Sequence, residues 1–320
     1  MNLSAALFWI YAGIAPANGL DPNVKFPERF APNALGQAGR ITLTPTFSAD
    51  GSTIYFAQSE CSPIWECPQR LKRASLGKRD WSKPELVALG AEGRVDWPSV
   101  SPDGSTLLFS WATKRARHCG LDVYEDFDLY QLDLQAKHAL PKAIDSADIN
   151  RIRAGSVAKL RYVHNETAPT LTRSGDLYFW TERLDGIGER DVYLAPNDGK
   201  GGFLTARALP APINSKGRDN GSWVNADGTI MLLSYPDRGG SGGDDLFMAK
   251  KTSGTWSTPI NLGTRINSTA SDFSASLTPD SRFIVFSSDR AFKGQAEGLL
   301  QVWYLPVNRI PALKRILDAH

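Results

Sequence analysis

One unit is written five times along this chain: a short apolar segment, a turn of Asp-Gly type, and a second apolar segment. The copies run 45–56, 98–109, 169–179, 222–233 and 275–286. Their turn residues, Asp50, Asp103, Ser174, Asp227 and Asp280, are separated by 53, 71, 53 and 53 residues. A repeat that cannot bury its own apolar face must pack against further copies of itself. Each unit reads as a β-hairpin, because Asp-Gly supplies the positive backbone angle of a tight turn. Further strand-like pieces follow each hairpin, such as 128–132, 191–194, 245–248 and 301–305, then a segment of the type Trp256-Ser-Thr-Pro-Ile-Asn-Leu262. Four antiparallel strands per repeat, arranged about an axis, predict an all-β single propeller. A stacked solenoid needs shorter repeats and parallel strands, which tight hairpins contradict.

The phrases Ser101-Pro-Asp-Gly104, Ser287-Ser-Asp-Arg290, Gly242-Gly-Asp-Asp-Leu-Phe247 and Trp256-Ser-Thr-Pro-Ile-Asn-Leu-Gly263 resemble the TolB-type (WD40-like) propeller repeat, over roughly residues 41–305. The resemblance implies the fold and leaves the function open, since propellers host many activities.

Five blades are expected, with six as the alternative. The last repeat has no clear fourth strand after its third. Residues 26–40 resemble the end of a fourth strand: Pro27-Glu-Arg-Phe matches Pro84-Glu-Leu-Val. Giving this segment to the last blade closes the ring and removes two open edges. The domain reading is therefore a signal peptide over 1–17, a ring-closing segment over 18–40 and the propeller over 41–320. Residues 311–320 either finish that blade or form a short helix.

The signal peptide rests on a nearly unbroken apolar run, Leu3 to Ala15, followed by Ala15-Pro-Ala17. The run is too short to span a bilayer. No Lys or Arg precedes it, so a buried N-terminal element is the competing reading. Export leads to a periplasmic or secreted protein with no integral membrane segment in the mature chain. The 36 basic and 34 acidic side chains give a net charge of +2. Such a chain has no long-range field to draw it onto nucleic acid. A monomer is expected.

Hairpin turns lie at the bottom of a propeller, so the starts of the first strands meet at the top. Eight residues before each turn residue stand Thr42, Val95, Glu166, Asp219 and Asp272, with Asp96 one step on in the second blade. These acids ring the top-face funnel, where they hold a polar ligand or pair with Arg40, Arg94 and Arg218. Trp97 and Trp223 flank the same positions and either stack on a sugar or pack between blades. His164 precedes Glu166 near the channel mouth. Glu182-Arg183, Asp237-Arg238 and Asp289-Arg290 read as acid–arginine pairs tying neighbouring blades. The ligand-binding set is thus Asp96, Glu166, Asp219, Asp272, Trp97, His164, Arg218 and Trp223, bounded by loops 112–126 and 145–164, where the 18 extra residues of the long interval fall. Elaborated loops on a rigid scaffold are where binding tends to reside.

Cys61, Cys67 and Cys119 share this face on adjacent blades and are disulfide candidates in an oxidising compartment. No metal and no cofactor is expected. The acids Asp122, Glu125, Asp126 and Asp128 read as a solvated loop. Gly239–Gly243 matches G-x-S-x-G but lies between two strands, where no nucleophile elbow forms. The expectation is a non-catalytic protein- or glycan-binding propeller. The alternatives are a glycan-active hydrolase or lyase, which needs two carboxylates roughly 5–10 Å apart, and a structural component of the cell envelope.

Overall fold

The turn chemistry sets the hairpins. Asp50 Oδ1 accepts from the Ser48 hydroxyl at 2.6 Å and the Ser52 amide at 3.0 Å. Asp103 repeats this with Ser101 and Ser105. The following glycines, Gly51 and Gly104, sit at φ 72° and 74°, where a side chain is strained. Ser281 takes the same left-handed position in the fifth hairpin, at φ 56°. The hydrogen bonds to Asp50 and Asp103 hold both carboxyls below the usual carboxylate range.

The computed structural model describes residues 19–36, 39–60, 68–78, 80–91, 93–112, 127–145, 148–150, 165–183, 185–295 and 297–318. They form five antiparallel blades. The first holds Ile41–Phe47, Thr53–Ser59, Gln69–Ser75 and Glu85–Leu86. The second holds Arg94–Val100, Thr106–Ala112, Asp128–Asp133 and Lys142–Ala143. The third holds Glu166–Leu171, Leu177–Thr181, Asp191–Ala195 and Arg207–Ala208. The fourth holds Asn220–Val224, Ile230–Tyr235 and Asp245–Thr252, with its outer edge split between Thr255–Trp256 and Ile260–Asn261.

The fifth blade joins Asp272–Leu277, Phe283–Ser288 and Gln301–Pro306 to the N-terminal strand Glu28–Arg29. Glu28 pairs with Tyr304 and Arg29 with Trp303. The ring closes as the sequence predicts. The closing segment is anchored by Phe30, 1% exposed, whose ring meets Trp81 at 5.4 Å and Phe47 at 5.8 Å. The chain ends in a 3-10 turn, Val307–Arg309, and a helix, Pro311–Leu317, with proline at its first position. Leu313 seats that helix on the core shared by the first and fifth blades.

Every first strand carries a β-bulge, at the same repeat position in four blades, between Leu43 and Thr46, Asp96 and Ser99, Thr167 and Thr170, and Phe273 and Ser276, and one residue shorter in the fourth, between Gly221 and Trp223. In four of them the bulged residue is a non-glycine in left-handed backbone: Thr44, Trp97, Ala168 and Ser274, with φ of 50–54°. A bulge re-aims side chains where pairing continues on both sides. Here it turns the innermost strands about the central channel.

Candidate functional site

Asp219 and Asp272 are fully buried, and so is Glu166. Each is held by an arginine from the end of its own blade's second strand: Glu166 by Arg183 at 3.0 Å, Asp219 by Arg238 at 2.8 Å, and Asp272 by Arg290. The same guanidiniums donate to carbonyls leaving the preceding blade, Asp148 and Ile149 for Arg183, Pro212 and Ile213 for Arg238, and Ile266 for Arg290. Each also lies over an aromatic ring, as Arg238 does over Tyr235 at 4.0 Å. These acids therefore tie blade to blade. The first blade uses a neutral version, with Gln58 and Thr42 bonded to the Leu35 carbonyl. The second places Val95 and Trp111 there and packs them.

The acid–arginine dipeptides do not act as pairs, because adjacent residues point to opposite sides. Arg238 turns inward to Asp219, while Asp237 turns outward to the exposed Arg218, 3.1 Å away. That neighbour holds the Asp237 carboxyl low. Glu182 likewise leaves Arg183 and bonds Arg190 and Asn165. Asp289 accepts from the Ser271 amide. The loop Gly239–Gly243 wraps Asp245, whose Oδ2 accepts from the Ser241 amide at 2.7 Å. A Cβ on Gly240 would fall 1.5 Å from that oxygen.

One residue beyond the buried acids, the side chains differ in every blade: Leu43, Asp96, Thr167, Asn220 and Phe273. Here Trp97 reaches across the channel. Its ring meets Trp180 of the third blade at 6.2 Å, edge to face, and Phe273 of the fifth at 6.3 Å. The second and fifth blades are not neighbours, so this contact spans the axis. Below it, Trp97 also lines a cavity with Trp223, Pro98, Pro169, Thr46 and Ser99. Its empty volume is about 280 Å³, part of it open solvent, and it is narrow enough to suit water better than a ligand. Trp223 belongs to this lower level and packs on the main core.

Asp96 Oδ1 accepts from the Thr44 hydroxyl and the Trp97 amide, both at 2.8 Å. Burial pushes its carboxyl up, against those bonds and a weak pull from Arg94. The Gln69 amide, 0% exposed, approaches the same carboxylate, and neither of its polar atoms makes a hydrogen bond of normal geometry. On the opposite side of the mouth, Arg190 lies over Trp180 at 4.3 Å and donates to Glu182 and to Asn220. Asn220 in turn donates to Asp244, whose carboxyl burial also pushes up.

The mouth of the channel thus brings together Asp96, Trp97, Trp180, Arg190, Asn220, Asp244 and Phe273. Of these, sequence reasoning singled out Asp96 and Trp97. Two of the others were in reach of the 53-residue period: Asn220 and Phe273 occupy the column beside the acids. His164, Cys61, Cys67, Cys119, the acids 122, 125 and 126, and nearly all of loops 112–126 and 145–164 lie outside the described residues. Among the described residues no cluster of His, Cys, Asp and Glu fits a metal ion. None of their helices is long and apolar enough to cross a membrane.

No protein-family model matches this sequence, and no curated protein matches it. Among solved structures it is similar to a TolB from Acinetobacter baumannii, at 17% identity and TM-score 0.47, over 83% of this chain and 54% of that one. The chain therefore spans about half the length of that protein. It is similar also to a putative TolB from Agrobacterium tumefaciens, at 16% identity and TM-score 0.49, over 84% and 78%. A thermostable family-43 glycoside hydrolase gives 12% identity and TM-score 0.45, over 85% and 92%. These likenesses are distant and carry no function across. The chain's own sheets define it as a five-bladed β-propeller, and its repeats resemble the TolB type.

Proposed function

We propose that this protein is an exported, non-catalytic propeller that binds a protein or glycan ligand at the top-face mouth of its channel. The observation that carries this reading is the meeting of Trp97, Trp180 and Phe273 from three blades beside the Asp96 carboxylate. Aromatic faces and a few polar groups converging on a rigid frame are the usual make-up of a binding site. Buried Thr167 and Trp180 add a hydroxyl and an indole N–H that make no hydrogen bond among the described residues. The apolar run at 3–15 supports export to the periplasm or beyond, as a monomer.

Binding is favoured over hydrolysis by the state of the other acids. Glu166, Asp219 and Asp272 are committed to ion pairs, and a hydrolase needs a carboxylate pair free to act.

The test is a glycan array and a pull-down with the wild type and with Asp96→Asn plus Trp97→Ala. Ligands captured by the wild type are expected to be lost from the double variant while its blades stay folded. Unchanged capture would move the site to the rim. Mass spectrometry of the exported protein is expected to find Asn18 as its first residue.

A further inference from the structure

We propose that Trp97 is a built-in plug: its indole occupies an aromatic-ring site on the axis of the propeller and shuts the channel between the mouth and the chamber below. The plug is independent of which ligand the mouth takes.

Six residues before each turn residue, the first strands carry Thr44, Trp97, Ala168, Gly221 and Ser274. Four of these five bring little bulk to the axis. Trp97 is the one side chain of the column long enough to cross it. Its ring meets Trp180 of the third blade at 6.2 Å, edge to face, and Phe273 of the fifth at 6.3 Å. Such ring pairs are favourable beyond the area they bury. The second and fifth blades are not neighbours, so an indole touching both lies across the passage and closes it.

The seat is fixed on every side. Phe273 packs on Ile41, Leu43 and Leu299, between the first and fifth blades. Trp180 is buried and carries the Arg190 guanidinium at 4.3 Å. The plug is latched through its backbone: Asp96 Oδ1 accepts from the Trp97 amide and from the Thr44 hydroxyl of the first blade, both at 2.8 Å. A left-handed backbone is unfavourable for tryptophan and persists only where its surroundings hold it. Asp96 supplies that hold and keeps the indole over the axis.

The chamber gives the plug its consequence. Its walls include one proline from each of the first three blades, Pro45, Pro98 and Pro169, and Trp97 is its ceiling. Without the indole, chamber and mouth become one cleft between these prolines, Trp180 and Phe273. An apolar cavity of about 150 Å³ admits a benzene-sized guest, so the vacated seat suits free indole.

Trp97→Gly empties the seat, and glycine takes the left-handed backbone without strain. Calorimetry and thermal melting of the full chain with free indole test the proposal. Indole is expected to bind the variant at least about 10-fold more tightly than wild type, and to raise the melting temperature of the variant alone. A folded variant that indole neither binds nor stabilises overturns the proposal, and so does equal binding to both proteins. In the wild type, nuclear Overhauser contacts between the Trp97 indole and the Phe273 ring are expected. Their absence overturns the plug without any variant. Should Trp97→Gly fail to fold, its recovery on adding indole sustains the plug; with no recovery, the wild-type contacts decide, present for the plug and absent against it.

Discussion

Arg183 and Glu166 form an ion pair in which neither side chain is more than 1% exposed. The guanidinium spans two blades, since it also donates to the Asp148 carbonyl at 2.7 Å. Removing one partner leaves an uncompensated buried charge. Arg183→Met is therefore expected to cost about 3–5 kcal/mol. Combining it with Glu166→Gln should recover part of that loss. Denaturant titration of the two variants checks the order. A single variant as stable as wild type would contradict the role given to this pair.

Trp97 adopts φ 50° with a large side chain. Glycine tolerates that backbone and alanine does not, by about 1 kcal/mol. Trp97→Gly is expected to be at least as stable as Trp97→Ala, the reverse of the usual order within a strand. Melting temperatures decide it, and the ordinary order would show that the bulge relaxes without cost.

Asp96 gives a stability effect whose sign depends on pH. Burial raises its carboxyl in the folded state. Its favourable contribution is present below the unfolded pKa and is lost as pH rises through the folded one. Asp96→Asn keeps an acceptor for Thr44 and removes the charge. The variant is expected to melt above wild type at neutral pH, with the gain gone below about pH 4. Asp103 runs the other way: hydrogen bonds lower its carboxyl, so Asp103→Ala should lose stability at neutral pH and little in acid. Melting curves over this range would contradict the account if the two variants moved together.

Phe30 tests ring closure. Its amide bonds the Val302 carbonyl at 2.8 Å and its side chain is buried against Trp81. Phe30→Ala is expected to cost about 3–5 kcal/mol, as for other buried phenylalanines. A loss below about 1 kcal/mol would mean that the closing strand contributes little to the ring.

The blades were legible because their signals are local. Asp50 and Gly51 specify a turn by themselves, and the missing fourth strand after Gln301–Pro306 pointed to the segment around Glu28. The position of Glu166, Asp219 and Asp272 at the tops of the first strands was equally legible. Their burial was not, because it depends on an arginine 17 to 19 residues later and on carbonyls of the preceding blade. The repeated Ile213-Asn-Ser215 and Ile266-Asn-Ser268, 53 residues apart, were available as a clue. Asn214 and Asn267 each bond both backbone groups of the third strand's second residue, Val192 and Leu246. The bulge at Trp97 left no trace in the sequence, since left-handed tryptophan has no residue signature. Without the bulge, the crossing of Trp97 to Phe273 could not be foreseen.

The central claim, that the channel mouth holds the ligand, is tested most directly by the indole N–H resonances of the tryptophans. They are to be followed as the ligand recovered by array or pull-down is added. Trp97 and Trp180 should shift, while Trp81 and Trp256, which lie in the outer parts of the first and fourth blades, stay in place. Shifts confined to Trp81 or Trp256, with Trp97 unmoved, would contradict it.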